Sequence, residues 1–198
     1  MKISIHHLIA AAFVALVAAG CTSAPSRFYT LSSTAATDGS PALSCVVAID
    51  PVSIPAEADR SQFTVQVGPN QVEVNEFNRW AAPLNEAIAR AIAGDLSVQL
   101  GTPRVASAQL ANFNPDYRVA ISIQRFESVS GKSALVEALW VVRKQGAAAA
   151  VSGRTIASET VANESFDALT AAHSRALAKV SSAIAAAIRA KADEKPTP

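Results

Sequence analysis

Histidine and cysteine are nearly absent from this 198-residue chain, at three and two residues, and aromatics make up only 6%. So few donors argue against a zinc-type site of His and Cys ligands, and two cysteines cannot make a disulfide framework. Charge is also scarce, at 17% of residues, and nearly cancels, with 17 Lys and Arg against 16 Asp and Glu. A nucleic-acid binder normally carries a basic excess, so the balance argues against that class. The hydrophobic share is 50%, which excludes a disordered tail as the main body. The length fits one ordinary domain or two small ones. Alanine, not aromatic residues, dominates the apolar half, as suits small cores and closely packed helices.

What is present begins with a leader. Lys2, His6 and His7 precede an unbroken apolar run of twelve residues, Leu8 to Ala19. A basic start before a short apolar run reads as a signal peptide. Twelve helical residues span ~18 Å, too short for a bilayer core of ~30 Å. Leu16-Val17-Ala18-Ala19-Gly20-Cys21 follows, small residues directly before a cysteine, and this resembles the bacterial lipobox. Ala18 stands where that motif prefers leucine. The resemblance implies cleavage before Cys21, a diacylglyceryl group on its thiol and an acyl group on its new amino terminus. The alternative is an ordinary secreted protein in which Cys21 is a spare thiol. Thr22, in place of the aspartate that retains enteric lipoproteins at the inner membrane, points to the outer membrane.

Removing residues 1–20 takes away Lys2 and no acid, so sixteen basic and sixteen acidic side chains remain. One histidine is left, His173, and the cysteine other than Cys21 is Cys45. Cys45 lies in the apolar stretch Ser44 to Ile49 and reads as a small buried hydrophobe.

The mature chain divides into a lipidated tether (21–26), a folded domain (27–191) and a flexible polar tail (192–198). Six extended residues reach at most ~20 Å, so the domain sits close to its membrane. Phe28-Tyr29-Thr30-Leu31 reads as a short strand, Ser32–Ala42 as a loop, and Leu43–Asp50 as a central buried strand ended by Pro51. Phe63, Val65 and Val67 alternate with polar residues, Gly68-Pro69-Asn70 turns the chain, and Val72 and Val74 alternate again, which predicts a hairpin. Leu84, Ile88, Ile92, Leu96 and Leu100 predict a helix between Pro83 and Gly101, with Glu86, Arg90 and Asp95 off its apolar stripe. Tyr117–Gln124, Ala134–Arg143 and Val151–Val161 predict an antiparallel meander. A last helix starts near Asn163 or Ser165 and runs to about Lys191, with Phe166, Leu169, Leu177, Val180, Ile184 and Ile188 as its stripe. The fold class expected is α+β, one domain with a mixed, mostly antiparallel sheet against two long helices.

No catalytic set assembles from these residues. His173 falls on the apolar stripe and reads as a half-buried structural histidine. Gly131-Lys132-Ser133 lacks the earlier glycine of a phosphate-binding loop and opens a strand, so it reads as a hairpin turn. Glu137 inside an apolar strand reads as an interior carboxylate, or more simply as an edge residue or a partner of Arg118 or Arg125. Asn163-Glu164-Ser165 reads as a helix cap. No metal and no cofactor beyond the lipid on Cys21 is expected.

Two segments are more specific: Pro51-Val52-Ser53-Ile54-Pro55 with Asp59, Arg60 and Gln62, and Asn78-Arg79-Trp80-Ala81-Ala82-Pro83-Leu84. Together with the lipobox and Phe28-Tyr29-x-Leu31, their order and spacing resemble the ABC-type transport auxiliary lipoproteins, the PqiC/YmbA-like family. A large aliphatic residue is expected before Asp59-Arg60, and the chain has Ala58. The resemblance implies a non-catalytic lipoprotein at the outer membrane, its domain facing the periplasm, docking an MCE-domain lipid carrier and its inner-membrane ABC system. It makes Pro51, Pro55, Asp59, Arg60, Asn78, Arg79, Trp80 and Pro83 the family-motif and partner-contact candidates. Trp80 reads as a core anchor or an exposed contact, and Arg60 and Arg79 as partners of Asp59 and Glu76 or of an acidic surface. A ring or other homo-oligomer would give a transported lipid an enclosed path. The alternative is a structural envelope lipoprotein that scaffolds a secretion or assembly complex.

Overall fold

The computed structural model describes residues 24–108 and 113–194. The leader, Cys21 and the last four residues lie outside the described residues.

The order of elements is β1 (Arg27–Tyr29), β2 (Val47–Ile49), β3 (Gln62–Gly68), β4 (Gln71–Trp80), α1 (Leu84–Leu100), β5 (Val105–Ala106), β6 (Tyr117–Val129), β7 (Ser133–Lys144), β8 (Val151–Thr160) and α2 (Phe166–Asp193). This is the expected α+β class, an eight-stranded mixed sheet with two helices.

β6, β7 and β8 form the antiparallel meander, with Tyr117 opposite Lys144 and Val142 opposite Val151. Period-two alternation buries Tyr117, Val119, Ile121 and Ile123 of β6 and Ala134, Val136, Ala138, Trp140 and Val142 of β7. The other edge of β6 is shared along its length. β2 pairs with it in parallel at Tyr117–Val119, Ser53 bridges Ser122, and β3 meets it at Gln66 opposite Val129. β3 and β4 form the expected hairpin, and β1 lies parallel to the end of β4 as an edge strand.

The helices follow their stripes. Leu84, Ile88, Ile92, Leu96 and Leu100 are all buried, and α1 ends where Gly101 takes the left-handed conformation at φ 66°. A side chain at Gly101 would press on Ala42, its Cβ 2.8 Å from that of Ala42. Ser165 caps α2, accepting from the Ala168 N–H at 3.1 Å, and α2 continues past Lys191 to Asp193.

Several expectations are corrected. The strand expected over Leu43–Asp50 is only Val47–Ile49. Before it the backbone bonds out of the ladder, with the Leu43 N–H on the Leu100 carbonyl and the Thr102 hydroxyl on the Cys45 carbonyl. Nor does Pro51 end pairing with β6: the Ser53 N–H donates to the Ile121 carbonyl at 3.2 Å and the Ser53 carbonyl accepts from Ile123 at 2.9 Å.

Asp95 is not a solvated residue but fully buried. Its Oδ1 accepts from the Ser33 hydroxyl at 2.8 Å and from the Thr34 and Ala35 N–H groups at 2.9 and 3.0 Å. Its Oδ2 accepts from Ser181 of α2 at 3.1 Å. The carboxylate thus ties the Ser32–Ala42 loop to both helices, which offsets the cost of burying its charge. Arg189 works in the same region, donating to the Pro41 carbonyl at 2.8 Å and the Gln99 carbonyl at 2.6 Å.

Glu137 is an interior carboxylate, buried, and neither on an edge strand nor paired with Arg118. β7 is flanked on both sides, and Glu137 pairs with Arg154 at 2.7 Å and more distantly with Arg125 at 3.9 Å. Arg118 binds Asp50 at 3.0 Å instead. Cys45 is buried, and desolvation pushes its thiol above the ordinary range.

Candidate functional site

Trp80 of the second motif segment sits in an aromatic cluster. Tyr29 comes from β1, Phe63 from β3, Trp80 from β4, Phe126 from β6, and Phe166 and His173 from α2. Phe63 stacks on Trp80 with ring centres 4.2 Å apart, and Phe166 and Tyr29 meet Phe63 edge-on at 5.1 and 5.7 Å. Trp80 meets Phe126 edge-on at 6.0 Å, and Phe126 lies flat on His173 at 3.9 Å. The chain has few aromatics, and five of them are spent here, where strands and helix from both halves meet.

The backbone of β4 explains how Trp80 enters the cluster. Its register against β3 shifts between Asn75, opposite Phe63, and Arg79, opposite Gln62. Asn75 Oδ1 holds that irregularity, accepting from the Phe77 and Asn78 N–H groups at 3.1 and 2.9 Å. Tyr29 then donates its hydroxyl to Asn78 Oδ1 at 2.9 Å, locking β1 to β4. Trp80 is buried, as the core-anchor reading expects.

The other motif residues shape the approach to the cluster. The Pro55 carbonyl accepts from the Ala58 and Asp59 N–H groups at 2.9 and 3.2 Å, a tight turn that aims the chain into β3. Pro51 flanks the Ser53 bridge, and Pro83 is the N-cap of α1. Arg79 pairs with Glu76, its Nε donating to the Glu76 carbonyl at 2.8 Å and its Nη2 3.7 Å from the carboxylate. Asp59 and Arg60 are exposed, and Arg60 makes no ion pair among the described residues.

Beside the cluster is a cavity of about 160 Å³. Ala58, Phe63, Trp80, Leu84 and Phe126 supply its apolar wall, and Glu57, Gln62, Thr64, Gln66 and Glu127 its polar one. It sits where β3 and β6 run side by side but pair only at Gln66. Ala58, small where a large aliphatic residue is expected, forms part of its wall. At its base Ser128 Oγ lies 2.8 Å from His173 Nε2.

That pair is poorly suited to nucleophilic chemistry. Burial alone pushes His173 down to about 3, and its Nδ1 has no partner. A neutral ring must carry one N–H: on Nε2 it can donate to Ser128, whereas on Nδ1 it would be buried without an acceptor. The Nε2–H tautomer follows, which occupies the nitrogen that would take a proton from Ser128. No carboxylate orients the other side of the ring, as a serine–histidine site requires. The histidine is fully buried rather than half-buried. Among the described residues no three His, Cys, Asp or Glu side chains are grouped to hold a metal, and no helix is long and apolar enough to cross a membrane. Sequence reasoning missed the cavity and the Ser128–His173 pair. Ser128 carries no local signal, because its partner is reached only through the β6–α2 packing.

A family model described as "ABC-type transport auxiliary lipoprotein component" matches residues 29–185. The fold is similar to that of a Xanthomonas campestris protein assigned to family DUF330, with a TM-score of 0.70 at 19% identity, covering 85% of this chain and 98% of that one. It is also similar to a second crystal structure, of an uncharacterized protein, with a TM-score of 0.69 at 19% identity, covering 83% of this chain and 99% of that one. No curated protein is significantly similar to it in sequence.

Proposed function

The chain belongs to the ABC-type transport auxiliary lipoprotein component family, and from that premise we propose that it is a non-catalytic lipoprotein of an MCE-type intermembrane lipid transport system. In this reading Cys21 carries the acyl groups, the anchor lies in the outer membrane, and the domain faces the periplasm. There it docks the MCE-domain protein served by an inner-membrane ABC system.

The observation that carries the proposal is the family match over nearly the whole described domain. Two further features support it. Of the motif residues, Trp80 enters the buried aromatic cluster, and Pro55 shapes the turn beside it. Among the exposed motif residues, the charged Asp59 and Arg60 lie on the turn before β3, open to a protein partner.

Crosslinking in intact cells from an unnatural photoreactive residue at Asp59 or Arg60 tests the docking claim. Recovery of an MCE-domain protein is the expected result. Crosslinks confined to secretion or assembly components would favour the scaffold reading instead. Globomycin, which blocks lipoprotein signal peptidase, should leave the precursor uncleaved before Cys21. A self-association that encloses a lipid path would register as a discrete oligomer in light scattering of the detergent-solubilised protein.

A further inference from the structure

The cavity beside Trp80 is a slot through the sheet. Side chains alternate faces along β3, so Gln62, Thr64 and Gln66 lie on one face and Phe63 on the other, yet both sets line the same space. On β6 the same holds for Glu127 against Phe126 and Ser128. Strand pairing explains the opening. The chain after β2 bonds to β6 as far as Ile123, whose N–H donates to the Ser53 carbonyl at 2.9 Å, and β3 next meets β6 at Gln66 opposite Val129. Between those points that edge of β6 has no ladder partner among the described residues.

The two ends of the slot differ in chemistry. Its floor, on the helix side, is Phe63, Trp80, Phe126 and Leu84, with Ala58 leaving space where a large aliphatic side chain is expected. Its other end carries Glu57 and Glu127 among neutral polar side chains, and no Lys or Arg lines it. Glu127 already holds Arg125, which donates to its two oxygens at 2.7 and 2.8 Å. The Glu57 side chain is exposed and makes no ion pair among the described residues. Within the slot, Thr64 Oγ1 is buried and has no hydrogen-bond partner among them either.

Size and charge select one class of occupant. The volume of about 160 Å³ matches that of an apolar cavity of about 150 Å³ that stays dry and takes benzene. The floor therefore fits a single ring or a short alkyl stem, not a full acyl chain. A carboxylate or phosphate on that stem would meet Glu57 and Glu127 with no lining cation to answer it. An ammonium finds Glu57 as its counter-charge and Thr64 Oγ1 as an acceptor. We propose that this slot binds a small organic amine, its apolar stem on Trp80 and Phe126 and its ammonium at Glu57. The site requires neither the proposed anchor nor the proposed docking partner.

The test uses the mature protein in phosphatidylcholine nanodiscs, its tryptophans replaced by 5-fluorotryptophan and read by fluorine NMR. The chain has two, Trp80 in the slot wall and Trp140 outside it as the internal reference. Benzylamine and benzoate are the probes, one ring with opposite head charges at neutral pH. Benzylamine should shift the Trp80 resonance saturably, leave that of Trp140 in place, and bind about tenfold more tightly than benzoate. Glu57→Gln should cut that ratio to about twofold while the ring still binds. Ala58→Leu should abolish the shift with both probes, its denaturation midpoint reporting that it folds. Equal affinity for the two probes overturns the assignment of an amine. A Trp80 resonance unmoved at millimolar benzylamine overturns the site, as does a shift that never saturates or that survives Ala58→Leu.

Discussion

Ser128 and His173 meet in the core with the serine Oγ 2.8 Å from the histidine Nε2, and burial holds that imidazole neutral down to about 3. The unfolded chain binds a proton on His173 near 6.5, whereas the folded chain refuses it until about 3. The stability this neutral ring preserves is complete above about 6.5 and is lost as pH falls through that window. Urea unfolding between pH 7 and 4.5 should show a loss approaching about 1.4 kcal/mol per pH unit. His173→Leu should flatten that slope. An equally steep slope in the variant would remove His173 as its source.

Asp95 should be the most sensitive single position outside the aromatic core. Asp95→Ala removes the acceptor of the Ser33 hydroxyl and of the Thr34 and Ala35 N–H groups, and leaves Ser181 only the Leu177 carbonyl, for an expected loss of about 2 kcal/mol. Equilibrium denaturation measures it. Protease susceptibility should rise first in the 32–42 loop, since Asp95 is what ties that loop down.

Gly153 lies under the indole of Trp140. A Cβ at that position would stand 2.2 Å from the ring, whose Nε1 donates to Thr155 Oγ1 at 3.0 Å. Gly153→Ala must therefore move the indole or the β8 backbone, at a cost of about 1–3 kcal/mol. The near-ultraviolet circular dichroism of the tryptophans should change with it. An unchanged spectrum and midpoint would contradict the packing described.

The cavity beside Trp80 should accept a larger neighbour. Ala58→Leu adds three carbon atoms to the wall of a space of about 160 Å³ and should stabilise by about 1 kcal/mol after side-chain ordering. A raised denaturation midpoint with unchanged slope is the expected readout. A lowered midpoint would mean the space cannot take the side chain without strain.

Periodicity made most of the architecture legible. The five-residue stripe of α1, the alternation along β6 and the Ser165 cap each follow from local spacing, because helix and strand repeat side-chain direction at fixed intervals. Pairing in the crowded middle was not legible. The apolar run Leu43–Asp50 has strand composition, yet Cys45 and Leu43 give their backbone groups to Thr102 and Leu100, partners more than fifty residues away. Glu137 shows the same limit. Its position within β7 follows from sequence, but its guanidinium partner Arg154 appears only once β8 is laid beside it.

At the motif segments, the residue types in Asn78-Arg79-Trp80 and Pro51 to Pro55 were enough to suggest the family. They could not show that Trp80 turns inward while Arg60 faces solvent, which depends on the irregularity at Asn75 and the turn at Pro55.

With two cysteines in the chain, the sequence alone determined that no framework of several disulfides can form, because absent atoms cannot be supplied by folding. Balanced charge likewise argued against a nucleic-acid binder. Only the tertiary structure decided that five of the few aromatics gather around His173, and that Asp95 is a buried clasp instead of a surface charge. Composition counts side chains without regard to neighbours, whereas burial and partnership are properties of pairs that sequence distance does not encode.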